Sequence, residues 1–245
     1  MINYSITHHY QPTNNSCGQA SLAMLLSYYG KQLTPESIMD IIPVRKNTKG
    51  EDWGTLNQDL AVWCLSQDFD VVMHSADFQI LDTSWAGLSH DELLQRLISV
   101  KGHRDVPSLG KEFSELYTQS YIDFLNAGGE LNVHQYLSEK LLDSFLSEGP
   151  MIVCVCVNVF YGEGRTKDLD VPALRISQTD DIDGGLYGHA VVVHGKNDNA
   201  EYMIADPWKE PGFYTVNVDK LIGAMYAAQI DTDTSMFGLK PKNTK

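Results

Sequence analysis

Cys17 has the surroundings of an activated nucleophile. It lies in the stretch QPTNNSCGQASLAMLLSYYG, residues 11–30, where a polar turn gives way to a nearly all-apolar run. A nucleophilic cysteine needs its thiolate stabilised and needs a donor for the oxyanion that forms after attack. A helix beginning at Cys17 supplies the first through its unpaired N–H groups and dipole. Gln11, six residues upstream, carries a side-chain amide suited to the second.

A base and a group to orient it complete such a site. His189 opens an apolar strand, residues 189–194, directly after Gly188. The turn Lys196-Asn197-Asp198-Asn199 reverses the chain into a partner strand, 201–205, that ends at Asp206-Pro207. In an antiparallel pair the start of the first strand lies beside the end of the second, so His189 and Asp206 are expected to be neighbours. His194 is the rival base. Side chains alternate along a strand, so His194 faces away from the side shared by 189, 191 and 193, and it sits beside the turn. It reads as a surface or hydrogen-bonded structural histidine.

These residues carry a resemblance. Gln11, Cys17-Gly18, Ala20, Leu22, Met24 and Tyr29-Gly30 resemble the first motif of the bacteriocin-processing peptidases that cleave after double-glycine leaders. Gly188-His189 with Val191 to Val193, and then Asp206-Pro207, resemble the second and third. The resemblance implies a papain-like fold with Cys17 as nucleophile, His189 as general base and acid, Asp206 as orienter and Gln11 as oxyanion donor beside the backbone N–H of Cys17. This chain differs in carrying Ser16, where that family commonly has an acidic residue, and in a longer stretch between nucleophile and base. It has no GxxxxGK[ST] motif and no transporter membrane segments, so it resembles a stand-alone member.

The positioning elements are read from pattern. Ser16 with Gln19 reads as a capping box, and the helix from Cys17 runs to Gly30. Short helices are expected from Thr34-Pro35, from a Thr55–Gln58 box to about Gln67, from a Ser89–Glu92 box to Val100, over 111–125, and over 132–146. Residues 70–74 read as a strand. Met151 to Phe160, nearly continuously apolar, reads as a central strand covered on both faces. A third strand over 212–218, a helix over 219–224, a last strand over 226–230 and a frayed tail from Thr232 complete the pattern. Helices come first and an antiparallel sheet comes second, which is an α+β order. The chain is expected to be one domain, 1–245, a helical part with the nucleophile packed on an antiparallel sheet, with an inserted segment 76–129 and a long loop 161–187.

Composition narrows the function classes. With 43% hydrophobic and 20% charged residues the chain is an ordinary globular protein. A formal net charge of −14 argues against a nucleic-acid or polybasic membrane partner and reads as a device of solubility; the peptide or protein substrate is what the resemblance and the catalytic residues imply. No apolar run is long enough to span a bilayer, and the N-terminus lacks the form of a secretory signal. The expected location is cytoplasmic, or outside the cell by a route without a cleaved signal. The four cysteines, Cys17, Cys64, Cys154 and Cys156, form no CxxC pair. Cys154 and Cys156 share a strand face and read as small core residues rather than soft-metal ligands; no cofactor or metal is implied. Trp208 is expected either to line a substrate cleft, with Gly188, or to fill core. Gly184-Gly185 reads as a flexible loop, and Asp180, Asp181 and Asp183 as its solvated acidic face. His8-His9 reads as a solvated terminus. The reaction expected is peptide-bond hydrolysis through an acyl-enzyme. The same triad also serves deamidases, transglutaminase-like enzymes and acyltransferases, and the same fold could act as a non-catalytic peptide-binding module.

Overall fold

A short strand, β1 (Ile2–Asn3), precedes the polar turn into α1 (Cys17–Tyr28). The computed structural model describes residues 1–46, 50, 52–103, 110–169, 176–230 and 233–242. Every residue of α1 from Gly18 to Leu26 is buried, as its lack of a polar face demands. Ser16 precedes the helix but does not cap it; its hydroxyl is turned back onto Thr13. Gln19 instead donates to the carbonyl of Ile42 and the hydroxyl of Thr55, tying the start of α1 to two later segments of the chain. A capping box of Thr34 and Ser37 starts α2 (Pro35–Ile41). A small ribbon, β2 (Arg45–Lys46) and β3 (Asp52–Gly54), leads to α3 (Asn57–Ser66). The box expected at Thr55 and Gln58 is absent: Leu56 occupies the N-cap, and buried Gln58 donates to Asp233. A side chain on Gly18 would press on Leu60 of α3 at 3.2 Å, so glycine here lets the two helices approach.

Strand β4 (Phe69–Ser75) is followed by α4 (His90–Val100), capped by Ser89 and Glu92 as expected, and α5 (Gly110–Asn126). Most of the loop expected around 102–110 lies outside the described residues. The helix expected over 132–146 is two elements, β5 (Glu130–Val133) and α6 (Glu139–Leu146), because Ser138 caps the helix late and β5 pairs with β4. The apolar run from Met151 is strand only as β6 (Met151–Cys156); it then makes one helical turn, α7 (Val157–Tyr161). The stretch 161–187 holds a hairpin, β7 (Thr166–Leu169) and β8 (Ile176–Thr179), where a long loop was expected. The meander β9 (Gly188–Lys196), β10 (Tyr202–Ala205) and β11 (Phe213–Val216) matches the expectation. Residues 226–230 finish α8 (Val218–Ala227) and a 3-10 turn instead of forming a strand. The stretch from Ser235, expected to fray, is strand β12 (Ser235–Pro241).

The main sheet runs β11-β10-β9-β6-β12-β4-β5, with β1 beside the end of β9. All its pairs are antiparallel except β4 with β5. One face packs Ala190, Val192, Ile152 and Phe237 against α1, α3 and α5; the other packs Val191, Val193, Val153 and Met236 against α6 and α8. Burial on both faces is why β6 reads as continuously apolar. Leu93, Leu97, Tyr117 and Tyr121 from the segment 76–129 join the same cluster as α1. Among the described residues, no helix is long and apolar enough to cross a membrane.

Candidate active site

Cys17 occupies the first position of α1, and the backbone N–H groups of Gly18 and Ala190 point to its sulfur. With Ser16 turned away, the thiol is the acceptor over the helix start. The ring of His189 is hydrogen-bonded to it. Burial pushes the Cys17 thiol up, but the His189 hydrogen bond and charge and the two N–H donors outweigh it and hold the thiol below its ordinary value.

His189 is buried at the start of β9, opposite Val155 of β6. Its Nε2 lies 2.9 Å from Oδ1 of Asp206. That leaves Nδ1 to face Cys17. Burial opposes the imidazolium, yet the hydrogen bonds and charges of Asp206 and Cys17 push His189 up to about 10. Asp206 has no exposed surface and is held well below the usual carboxylate range: burial works against this, and the donors around it prevail. Oδ1 also accepts the N–H groups of Trp208 at 2.8 Å and Lys209 at 3.3 Å. Oδ2 accepts the hydroxyls of Tyr161 at 2.8 Å and of Tyr214. Cys17 packs with the cluster on one sheet face, and Tyr161 and Tyr214 with the cluster on the other, so the Cys-His-Asp chain straddles the end of the sheet.

Gln11 is anchored beside this chain by its main-chain N–H, which donates to the carbonyl of Pro207 at 2.9 Å. Its Nε2 gives one hydrogen to the carbonyl of Thr13 and has a second to offer; its Oε1 is buried without a partner. A cleft of about 290 Å³ runs over the thiol, lined by Gln11, Cys17, Trp53, Gly188, His189 and Trp208, and further by Asn158 and Tyr161. Trp208 is half exposed in that cleft and does not fill core. Gly188 and Trp208 therefore both stand on its wall.

Sequence reasoning missed Tyr161, Tyr214 and His8. Tyr161 closes the single helical turn after β6, and Tyr214 comes just after the turn that returns the chain to Asp206, where the Asp206 N–H meets the carbonyl of Gly212. That return was legible; a tyrosine's partner was not. His8 is no solvated terminus. Its Nε2 donates to the carbonyl of Asp206 at 2.7 Å, and only a glycine at 212 leaves room for its ring.

The rival readings resolve by contact. The β9–β10 register slips opposite His194, which is buried and bonded through Nδ1 to the carbonyl of Tyr4 at 3.0 Å. It is the hydrogen-bonded structural histidine. Cys154 and Cys156 are buried core residues; among the described residues no group of three His, Cys, Asp or Glu could hold a metal. Gly185 bridges to Thr166, and Asp180 accepts the N–H groups of Ile182 and Asp183, a local turn.

The family model of the Peptidase C39 family matches residues 5–87, the stretch that holds Gln11 and Cys17. The resemblance drawn from the motifs is borne out over that stretch, and the peptidase class expected from them agrees with the family that the model describes. No curated protein matches the chain. Solved structures similar to it include three peptidases. A C39-like peptidase from Bacillus anthracis aligns at 14% identity and a TM-score of 0.47, over 98% of this chain and 96% of that one. The peptidase domain of Streptococcus ComA, a bifunctional ABC transporter of a quorum-sensing pathway, aligns at 14% identity and 0.43, over 98% and 99%. A double glycine motif protease from an AMS/PCAT transporter, in complex with its leader peptide, aligns at 11% identity and 0.44, over 98% and 94%.

Proposed function

We propose that this chain hydrolyses peptide bonds through an acyl-enzyme, with Cys17 as nucleophile, His189 as proton carrier and Asp206 as orienter. One observation carries the reading: Cys17, His189 and Asp206 form a continuous hydrogen-bonded chain, and its Cys17 and His189 line a cleft while Asp206 is buried behind them. The shifts of Cys17 downward and His189 upward both favour a resting thiolate–imidazolium pair. Cys17 Sγ attacks the scissile carbonyl carbon. The imidazolium, which already holds the thiol proton, gives it to the leaving amine. His189 then takes a proton from water as the thioester is hydrolysed, and the thiolate leaves. The oxyanion is met by the backbone N–H of Cys17 and the free Nε2 hydrogen of Gln11. Gly188 and Trp208 stand where substrate would lie against the wall. The substrate in this reading is a peptide or protein segment extended in the cleft, and the whole of 1–245 acts as one catalytic domain, with 76–129 added to its helical side.

The test is cleavage of a diverse peptide library followed by mass spectrometry. Wild-type protein is expected to yield new termini, and Cys17→Ala and His189→Ala to yield none while keeping the wild-type circular dichroism. Equal cleavage by wild type and Cys17→Ala would overturn the reading.

A further inference from the structure

Asp206 is surrounded by more donors than an orienting carboxylate requires. Oδ1 takes His189 Nε2 and the N–H groups of Trp208 and Lys209; Oδ2 takes two tyrosine hydroxyls. The tyrosines come from different elements. Tyr161 ends the helical turn α7, which leaves the sheet after β6; Tyr214 lies in the edge strand β11. With both oxygens hydrogen-bonded, the carboxylate is held against rotation and Oδ1 stays aimed at His189.

We propose that Tyr161 and Tyr214 are positioning residues that act through Asp206 on the proton carried by His189. The proposal rests on the peptidase reading of this site and adds how its proton is tuned. Two hydroxyl dipoles directed at Oδ2 draw negative charge away from the oxygen that faces the imidazolium. They hold the carboxylate in place and moderate its grip on the proton that His189 must give to the leaving amine. Both hydroxyls stay protonated, because burial and then the Asp206 charge push each tyrosine above its ordinary range. Among the described residues, Asp52 of β3 and Glu163 line the cleft beside the site. His189 faces Cys17 from α1 and Asp206 from the loop after β10. Lys209 lies over the Tyr161 ring and is paired with Glu163 at 2.7 Å. His8 meets Asp206 only at its backbone carbonyl. Tyr161 also lines the cleft, so substrate in the cleft rests on a ring that is bonded to the orienting carboxylate.

The experiment is a nitrogen-15 NMR titration of the histidine rings in Tyr161→Phe, Tyr214→Phe and the double variant. The His189 signal is identified by its loss in His189→Asn. Phenylalanine keeps the ring and removes only the donor. The pH at which His189 loses its proton is expected to rise by ~0.5 unit in each single variant and further in the double. For any peptide the wild type cleaves, kcat is expected to fall several-fold with KM little changed. Tyr202→Phe controls for loss of a buried tyrosine hydroxyl, since its partner is Asp143 on α6, and it is expected to leave the His189 midpoint in place. A His189 midpoint that stays fixed in all variants, or moves down, overturns the proposal. The titration needs no substrate. Its failure is therefore distinct from failure of the peptidase reading, which library cleavage decides.

Discussion

Nδ1 of His74 in β4 lies 2.7 Å from Nε2 of His134, the residue just after β5, one imidazole bonded to the other at the end of that parallel pair. One ring donates its N–H to the other, and putting an extra proton on each ring would place two cations in contact. Burial, then the neighbouring His134, pushes His74 down to about 4, with Lys240 adding to this and Glu148 opposing it. Burial lowers His134 as well.

These shifts fix the sign of the stability effect. The unfolded chain binds protons at these histidines near pH 6.5, whereas in the folded chain His74 resists its proton until about pH 4 and His134 is lowered in the same direction. Stability is therefore full above pH 6.5 and is lost as pH falls toward 4. Allowing for the partial exposure of both rings, the loss is about 1–2 kcal/mol. Urea denaturation from pH 7.5 to 4 measures it. His134→Asn removes one partner and is expected to flatten the acid slope. An unchanged slope would mean that other groups carry the acid dependence.

In the proposed mechanism the proton positions at Cys17 and His189 set the activity profile. Its working form holds a thiolate and an imidazolium. It is lost on the alkaline side when His189, pushed up to about 10, gives up its proton. On the acid side it is lost only below the ordinary thiol range, because Cys17 is shifted down. We expect kcat/KM to show a broad plateau through neutrality that falls near pH 10. Iodoacetamide at pH 6.5 is expected to label Cys17 well before Cys64, whose thiol burial pushes up. Labelling of Cys17 no faster than a free peptide thiol rules out the ion pair.

Gln11 is held by its backbone to Pro207, so its side chain can change without releasing the Asp206 loop. Gln11→Ala removes the proposed oxyanion donor and leaves the Cys17–His189 contact. We expect kcat to drop by about 10²-fold, with KM and the alkylation rate of Cys17 near wild type. A parallel loss of alkylation would show that Gln11 supports the thiolate and not the oxyanion.

What could be read from the sequence was local. The run after Cys17 is apolar on every face, so its burial and the helix start were legible without knowing its neighbours. The hairpin turn at Asn197, whose side chain accepts the N–H groups of Asn199 and Glu201, brought His189 and Asp206 together on paper as it does in space. What depended on distant partners was not legible. β5 looked like the start of a helix because its pairing with β4 is invisible in its own residues. β12 comes after an acidic, threonine-rich stretch and ends in lysines, so it read as tail. Tyr161 and Tyr214 do not stand out in the sequence, because nothing in it says where a hydroxyl will point.

Phe237 of β12 tests how much the fold relies on that last strand. It has no exposed surface and is paired on one side with Ile152 of β6 and on the other with Met73 of β4. The strand joins two parts of the sheet that otherwise have no direct pairing in the sheet order. Its flanks are tied in by polar contacts: Asn57 and Gln58 donate to Ser235 and Asp233, and the hydroxyl of Tyr29 reaches the carbonyl of Leu239. α1 and α3 are thus fastened to a segment more than two hundred residues from Cys17 along the chain. Phe237→Ala leaves a cavity between the two halves of the sheet and is expected to cost about 3–5 kcal/mol in denaturant unfolding. Deleting residues 235–245 parts the sheet at β6 and β4, and we expect no cooperative unfolding transition and no fast-labelling thiol at Cys17. A truncated chain that unfolds cooperatively near the wild-type midpoint would show that β6 and β4 close on each other without β12.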